Sequence, residues 1–252
     1  MRVISLLADR TAMPRFYCPQ PLLAGATITL PGPVAHHAWV VRLQPGAELT
    51  LFNGDGGQYL AQLATVEKKS ATARIVAFVE RDRELPYEIT LAQALPEAAK
   101  MDWIIEKAVE LGVAAIQPLA AQRSVVRLSA ERAEKRHAHW LGVIVAASEQ
   151  CGRNRLARLA ALDNFGAWIG QHAMHKRILL SPRAQLSLAD WARQQPPQAV
   201  TLVIGPEGGF SEQEEDAAVA EGALALSIGA RVLRTETAGM AAVATLNALW
   251  GG

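Results

Sequence analysis

Cysteine is scarce in this chain of 252 residues: there are two, Cys18 and Cys151, and neither belongs to a C-x-x-C pair. That spacing excludes a disulfide scaffold and a thiolate metal site, so free thiols in a reducing compartment are expected. The histidines are as sparse in signal. His36-His37 and the His172/His175 pair have no cysteine or acidic cluster beside them, and no metal is expected. Long apolar runs are also missing, since nothing approaches the roughly 18 residues of a membrane span. The opening "MRVISLLADRTAM" has too short an apolar core for a secretory signal, and an acid follows it. These absences point to a soluble, cytoplasmic protein. Excess charge is lacking too: the net value is +1, which does not announce a nucleic-acid binder, although the distribution of charge still can.

What is present is ordinary globular composition, half hydrophobic and 19% charged, in a length that suits one or two domains. "MPRFYCPQPLL" from Met13 reads as a natural start, which makes residues 1–12 an expected extension. Up to about residue 80 the chain is rich in short β-like runs: "ATITL" (26–30), "AELTLFN" (47–53), "GQYLAQLATV" (57–66) and "ATARIVAFV" (71–79). "NGDGG" between two of them supplies the positive φ of a hairpin turn, and no helix follows it as a phosphate loop would require. "VAHHAWVVRL" (34–43) fits one short helix ending before Pro45-Gly46. The expectation is a small β-barrel-like domain over 1–80, then a charged linker over 81–88 broken by Pro86.

From residue 89 the rhythm becomes strand, helix, strand, helix. "ITLAQAL" reads as a buried strand, and Met101, Ile104, Ile105, Ala108 and Leu111 then recur at helical spacing up to Gly112. Further strands are expected over 114–119, 177–181, 200–205 and 223–229, with helices over 130–149, from Ser211, and from Thr237 to Trp250. Such alternation predicts an α/β domain over 89–252, with a mostly parallel sheet covered on both faces.

The stretch "LVIGPEGGFSEQEE" (202–215) has the outline of a nucleotide loop without its chemistry. No lysine follows Gly209, which rules out a Walker A loop, and "GPEGG" does not have the Rossmann spacing. Ser211 is suited to cap the following helix, with Glu214 completing a capping box. The acids there repel phosphate at a helix N-terminus, where an anion otherwise binds. They suit an adenine-bearing, phosphate-free, cationic ligand, and S-adenosylmethionine has those properties. "SIGARVLRTETAGM" follows the next strand, so its loop should lie beside the first. Thr235 and Thr237 are both placed to cap the last helix, and a simple strand-to-helix turn remains an alternative for either loop.

Together "LVIGPEGGFSEQE" and "LSIGARVLRTETA" resemble the paired signatures of the SPOUT methyltransferases, specifically the RsmE family of rRNA uridine-N3 methyltransferases. "KMDWIIEKAVELGVAAIQPLAAQRS" (100–124), "ASEQCGRNRLARL" (147–159), and "MPRFYCPQPL" with "HHAWVVRLQPGAELTLFNGDG" are similar to that family as well, so the resemblance covers nearly the whole chain from Met13. It implies a C-terminal SPOUT domain with a deep trefoil knot, an N-terminal PUA-like RNA-binding β-barrel, and a homodimer. It implies methylation of N3 of one uridine in 16S rRNA of the small ribosomal subunit, with S-adenosylmethionine as methyl donor. A ribose 2′-O-methyltransferase of the same superfamily, or a binder that has kept only the fold, are the alternatives.

On this resemblance the cofactor is expected against Leu180, Ser181, Ile204, Gly205, Pro206, Glu207, Gly208, Gly209, Ser227, Ile228, Gly229, Val232, Leu233, Arg234, Thr237 and Ala238. Arg234 is the candidate to stabilise a uracil anion, and Glu207 and Glu236 compete as the base. RNA contacts are expected from the basic middle of the chain. Residues 122–158 carry eight Arg or Lys against three Glu, an excess of +5 in a chain whose total is +1. Helix-face charges such as Arg132, Lys135 and Arg136 read as solvated, which leaves Arg123, Gln150, Arg153 and Arg155, with Arg15 and Arg42 carried over from the family pattern.

Overall fold

The computed structural model describes residues 13–97 and 100–251; the expected extension at 1–12 lies outside them. The chain divides into two compact units. One takes the chain up to Arg83 together with Gly152–Arg155, and the other takes Glu84–Cys151 and Leu156–Gly252.

The first unit contains β1 (Arg15–Tyr17), β2 (Thr27–Thr29), α1 (Gly32–Val40), β3 (Glu48–Phe52), β4 (Gln58–Val66) and β5 (Ala71–Val79). Its sheet runs β1-β3-β4-β5-β2, with β1 parallel to β3 and the other neighbours antiparallel. The "NGDGG" stretch is the turn from β3 to β4, where Gly54, Gly56 and Gly57 all have positive φ. Leu49, Leu51, Leu63 and Ile75 form the core with Phe16, and α1 adds Val34 and Ala35. Residues 152–155 are held in this unit by Arg15. Its guanidinium donates to Gln58 Oε1 (2.9 Å), to the Arg153 carbonyl (2.8 Å) and to Asn154 Oδ1, and lies 4.6 Å over the Phe52 ring.

In the second unit the order is β6 (Ile89–Ala94), α2 (Lys100–Glu110), β7 (Ala115–Ala120), α3 (Ala130–Cys151), β8 (Arg158–Leu159), β9 (Asp163–Asn164), α4 (Phe165–Ile169), β10 (Lys176–Leu180), α5 (Leu188–Arg193), β11 (Val200–Ile204), α6 (Glu212–Ala220), β12 (Leu224–Leu226) and α7 (Thr235–Trp250). All seven strands are parallel, in the order β12-β10-β11-β6-β7-β8, with β9 also on β7. The period of two along each strand sends alternate side chains to opposite faces. Ile89, Leu91, Leu202 and Ile204 face α2, α3, α5 and α7, whereas Ala92, Ala94 and Val203 face α4 and α6. The expected two-sided parallel sheet is therefore present.

Local sequence explains the helices that frame the site. In α2, Met101, Ile104, Ile105 and Ala108 are buried on one face, and Gly112 ends the turn with φ +90°. The Ser211–Glu214 capping box starts α6, with both reciprocal hydrogen bonds formed. Gly239 brings α7 close to the sheet, because a Cβ there would sit 3.3 Å from Leu91 Cδ1 and 3.6 Å from Ile204 Cγ1. One expectation is corrected: α7 begins at Thr235, and neither threonine caps it. The N-cap is Arg234, which makes no side-chain capping bond. Thr235 Oγ1 is turned instead toward Gly205.

Candidate active site

β10, β11 and β12 end side by side at Leu180, Ile204 and Leu226, at the carboxyl edge where open parallel sheets hold ligands. A partly open cleft lies there. Leu180, Ile204, Ile228, Val232, Leu233 and Ala238 give it an apolar wall, and the 205–210 loop gives it a backbone floor.

The floor requires its glycines. A Cβ on Gly205 would lie 3.0 Å from Phe210 N and 3.1 Å from the Gly209 backbone, so the chain doubles back on itself there with no room for a side chain. Gly209 adopts φ +64° and donates its N–H to the Pro206 carbonyl at 2.8 Å, closing the turn. Phe210 then plugs the α4/α6 side of the core, 4.4 Å from the Phe165 ring.

The loop is tied down from several directions. Arg123 donates to the carbonyls of Gly208 (3.0 Å) and Phe210 (3.2 Å), which employs in loop bracing a guanidinium expected to meet RNA. Glu207 Oε1 accepts from Lys100 Nζ at 2.8 Å and from the Glu97 N–H at 3.0 Å. Burial pushes the Glu207 carboxyl upward. The bonds from Lys100 and the Glu97 N–H outweigh it and hold the group below its ordinary range. Glu214 accepts from the Gln122 N–H at 2.7 Å, and Glu215 accepts from Ser181 Oγ at 3.0 Å and from Arg183 at 2.7 Å. Arg183 also reaches Glu212 at 3.0 Å. The acids of this loop are thus internal tethers rather than free charge awaiting a cationic ligand. They still occupy the α6 N-terminus where a phosphate would bind.

Every sequence-predicted cofactor residue lines the cleft except Gly208, Ser227, Arg234 and Thr237. Arg234 is exposed at the start of α7 and makes no ion pair among the described residues. Glu207 lines the cleft, while Glu236 sits in the first turn of α7, where its Oε2 is buried with no hydrogen-bond partner among the described residues. Arg231, which with Arg234 brackets the polar second loop in the sequence, and Glu215 of the first loop line the cleft as well, whereas sequence reading did not single out Lys100 or Gln93. Lys100 stands 107 positions from its partner, a separation that leaves no local signal.

The RNA candidates are scattered in character. Arg153 is 4% exposed, and Arg15 is occupied in holding its segment, so both are structural in the first unit. Arg155 is exposed, 3.9 Å from Asp82, with its guanidinium lying over Gly56. Arg42 is exposed just after α1, with φ 59°, and Gln150 is exposed near the end of α3. Among the described residues no group of three or more His, Cys, Asp or Glu is placed to hold a metal, and no helix is long and apolar enough to cross a membrane.

Residues 83–247 match the family described as the RNA methyltransferase domain, and residues 30–76 match the RNA methyltransferase PUA domain. The protein named ribosomal RNA small subunit methyltransferase E of Synechocystis is 34% identical, over 89% of this chain and 74% of its own length. Its namesake in Bacillus subtilis is 28% identical, over 90% of this chain and 92% of its own. The crystal structure of the Neisseria gonorrhoeae protein of that name, bound to S-adenosyl methionine, superposes with a TM-score of 0.90 at 38% identity, covering 95% of this chain and 98% of that one. The glycine floor, the paired loops and these likenesses agree, and the chain belongs to the ribosomal RNA small subunit methyltransferase E family of RNA methyltransferases.

Proposed function

We propose that this chain is an S-adenosylmethionine-dependent methyltransferase of the small ribosomal subunit, modifying N3 of one uridine in 16S rRNA. The observation that carries the reading is the cleft itself: a glycine backbone floor and an apolar wall, with carboxylates rather than a lysine at the helix start. That donor set fits a phosphate-free adenosyl group. Gly205, Pro206 and Gly209 offer backbone, and Leu180, Ile204, Ile228 and Val232 cover an apolar ring. When bound, S-adenosylmethionine supplies an electrophilic methyl group.

The protein has to position the uracil and manage one proton. Glu207 is ion-paired and held acidic, which makes it a poor acceptor for a weakly acidic N3–H. Glu236 has a buried oxygen with no partner among the described residues, close enough for its charge to act on Lys100, and is assigned the proton. Arg234, exposed and without an ion pair among the described residues, is assigned to the negative charge that spreads over O2 and O4 as the proton leaves.

The remaining assignments follow the family. Residues 1–80, past the expected extension at 1–12, act as a PUA-like barrel that holds RNA, 81–88 as the linker and 89–252 as the SPOUT domain. The insertion of β11 between β6 and β10 suits a chain threaded into a deep trefoil knot, and the active unit is a cytoplasmic homodimer. Small subunits lacking the modification, incubated with the protein and labelled S-adenosylmethionine, should gain one methyl group mapping by mass spectrometry to a uracil base. A ribose methyl, or no transfer, would overturn the assignment.

A further inference from the structure

Gln93 is fully buried near the C-terminal end of β6, opposite Ile204 of β11, and lies outside the cleft lining. Its Nε2 donates to the Ala94 carbonyl at 2.9 Å and to Thr235 Oγ1 at 2.9 Å. The Thr235 hydroxyl donates in turn to the Gly205 carbonyl at 2.6 Å. The polarity of this chain is fixed: a hydroxyl has one proton, and a carbonyl can only accept it. Because Pro206 follows, the 205–206 peptide has no N–H, and its carbonyl is its only polar handle. Gln93 Oε1 has no partner among the described residues, so the residue is kept in the core with an unmet buried acceptor, which a leucine would not have.

We infer that Gln93 is a positioning residue for the methyl-donor cleft: through the Thr235 hydroxyl it holds the Gly205 carbonyl against the start of α7. One hydroxyl thereby couples the loop after β11 to the loop after β12, and both loops line the cleft. The amide sets the direction of that hydroxyl without touching any ligand. This inference rests on the reading that the cleft takes S-adenosylmethionine.

The test is calorimetric titration of the full chain with S-adenosylmethionine, with folding checked by circular dichroism. Thr235→Val removes the hydroxyl at constant shape, Thr235→Ser keeps it, and Gln93→Met removes the donor. Losing one such bond should weaken binding about tenfold in Thr235→Val and in Gln93→Met. Thr235→Ser should stay within about twofold of wild type, and the double variant should lose little more than either single one, since both act through one chain of bonds. A wild-type protein that does not bind overturns the underlying reading and this inference with it. Wild-type binding with an unaffected Thr235→Val, a Thr235→Ser as weak as Thr235→Val, or strictly additive losses overturns the inference alone. If Thr235→Val does not fold, Gln93→Met decides, and wild-type affinity in that variant overturns it.

Discussion

Lys100 Nζ lies 2.8 Å from Glu207 Oε1, so the one carboxylate inside the "GPEGG" motif is ion-paired within the chain. The side chains are 27% and 28% exposed, which places the pair at the rim rather than in the core. Lys100 comes from the start of α2 and Glu207 from the loop after β11, so the pair fastens the cleft floor to a neighbouring helix.

The pair has a definite pH window. The hydrogen bond to Glu207 holds the Lys100 ammonium above its ordinary value, and Glu207 is held below its own. The glutamate contribution is therefore present above the unfolded carboxylate pKa and lost as pH falls through the lower native one. The lysine contribution is present below the unfolded ammonium pKa and lost as pH rises through the higher native one. Lys100→Met should melt a few degrees below wild type across neutral pH, with the gap closing in acid and again in strong base. Thermal melts at several pH values check this, and a gap that persists below the carboxylate range would sink it.

Glutamine replacements separate the two acids. Glu236→Gln removes the assigned proton acceptor and should lower the single-turnover methylation rate by about 10²–10⁴-fold with S-adenosylmethionine affinity nearly unchanged. Glu207→Gln, which loses the ion pair but keeps an acceptor for the Glu97 N–H, should act mainly on cofactor affinity. Equal rate losses in the two variants would remove Glu236 from its role.

The glycines of the floor should not be equivalent. In Gly205→Ala the new Cβ meets the backbone of Gly209 and Phe210 at 3.0–3.1 Å, so the loop must shift. A cost of about 1–3 kcal/mol and loss of cofactor binding are expected. A Cβ on Gly209 meets nothing within 4 Å, and only its φ of +64° opposes substitution, at about 1–2 kcal/mol for alanine. Gly209→Asn, which tolerates that φ, should recover most of the loss, whereas no side chain should rescue position 205. Denaturant melts and titration calorimetry on these variants test the ranking.

The extent to which sequence revealed this site follows the range of the interactions. Ser211 and Glu214 are three residues apart, so their capping box was readable as a pattern, and the α2 face was readable from its 3.6-residue period. The apolar strands and glycine turns located the cleft for the same reason. The side chains that brace it meet across 29 to 142 positions, as with Arg183 and Glu212 or Gln93 and Thr235, and no local spacing encodes such pairs. Thr235 was read as a cap because it stands at a helix start, and long-range bonding turned its hydroxyl elsewhere. α4 and α5, at five and six residues, and the two-residue strands β8 and β9 are too short to show a period.

The two thiols should differ in reactivity. Burial pushes the Cys18 thiol up to about 11, with Gln20 opposing only in part, while Cys151 is partly exposed. At pH 8 only about one Cys18 in a thousand is thiolate. A thiol-disulfide reagent added to the native protein should therefore titrate Cys151 first and reach Cys18 only after denaturation. Peptide mapping of the labelled protein reads the order directly, and rapid native labelling of Cys18 would contradict it.

Arginines expected to meet RNA should divide into two behaviours. Arg15 spends its guanidinium on Gln58, the Arg153 carbonyl and Asn154, so Arg15→Met should destabilise the first unit by about 2–3 kcal/mol. The salt dependence of RNA binding by the folded fraction should then stay as in wild type, because no phosphate contact is lost. Arg155 is exposed and only loosely near Asp82, so Arg155→Met should leave stability nearly unchanged. It should reduce the slope of log affinity against log salt by about one contact. Binding isotherms at several salt concentrations, paired with thermal melts, distinguish the two. A reduced slope in Arg15→Met at unchanged stability would return that arginine to the RNA surface.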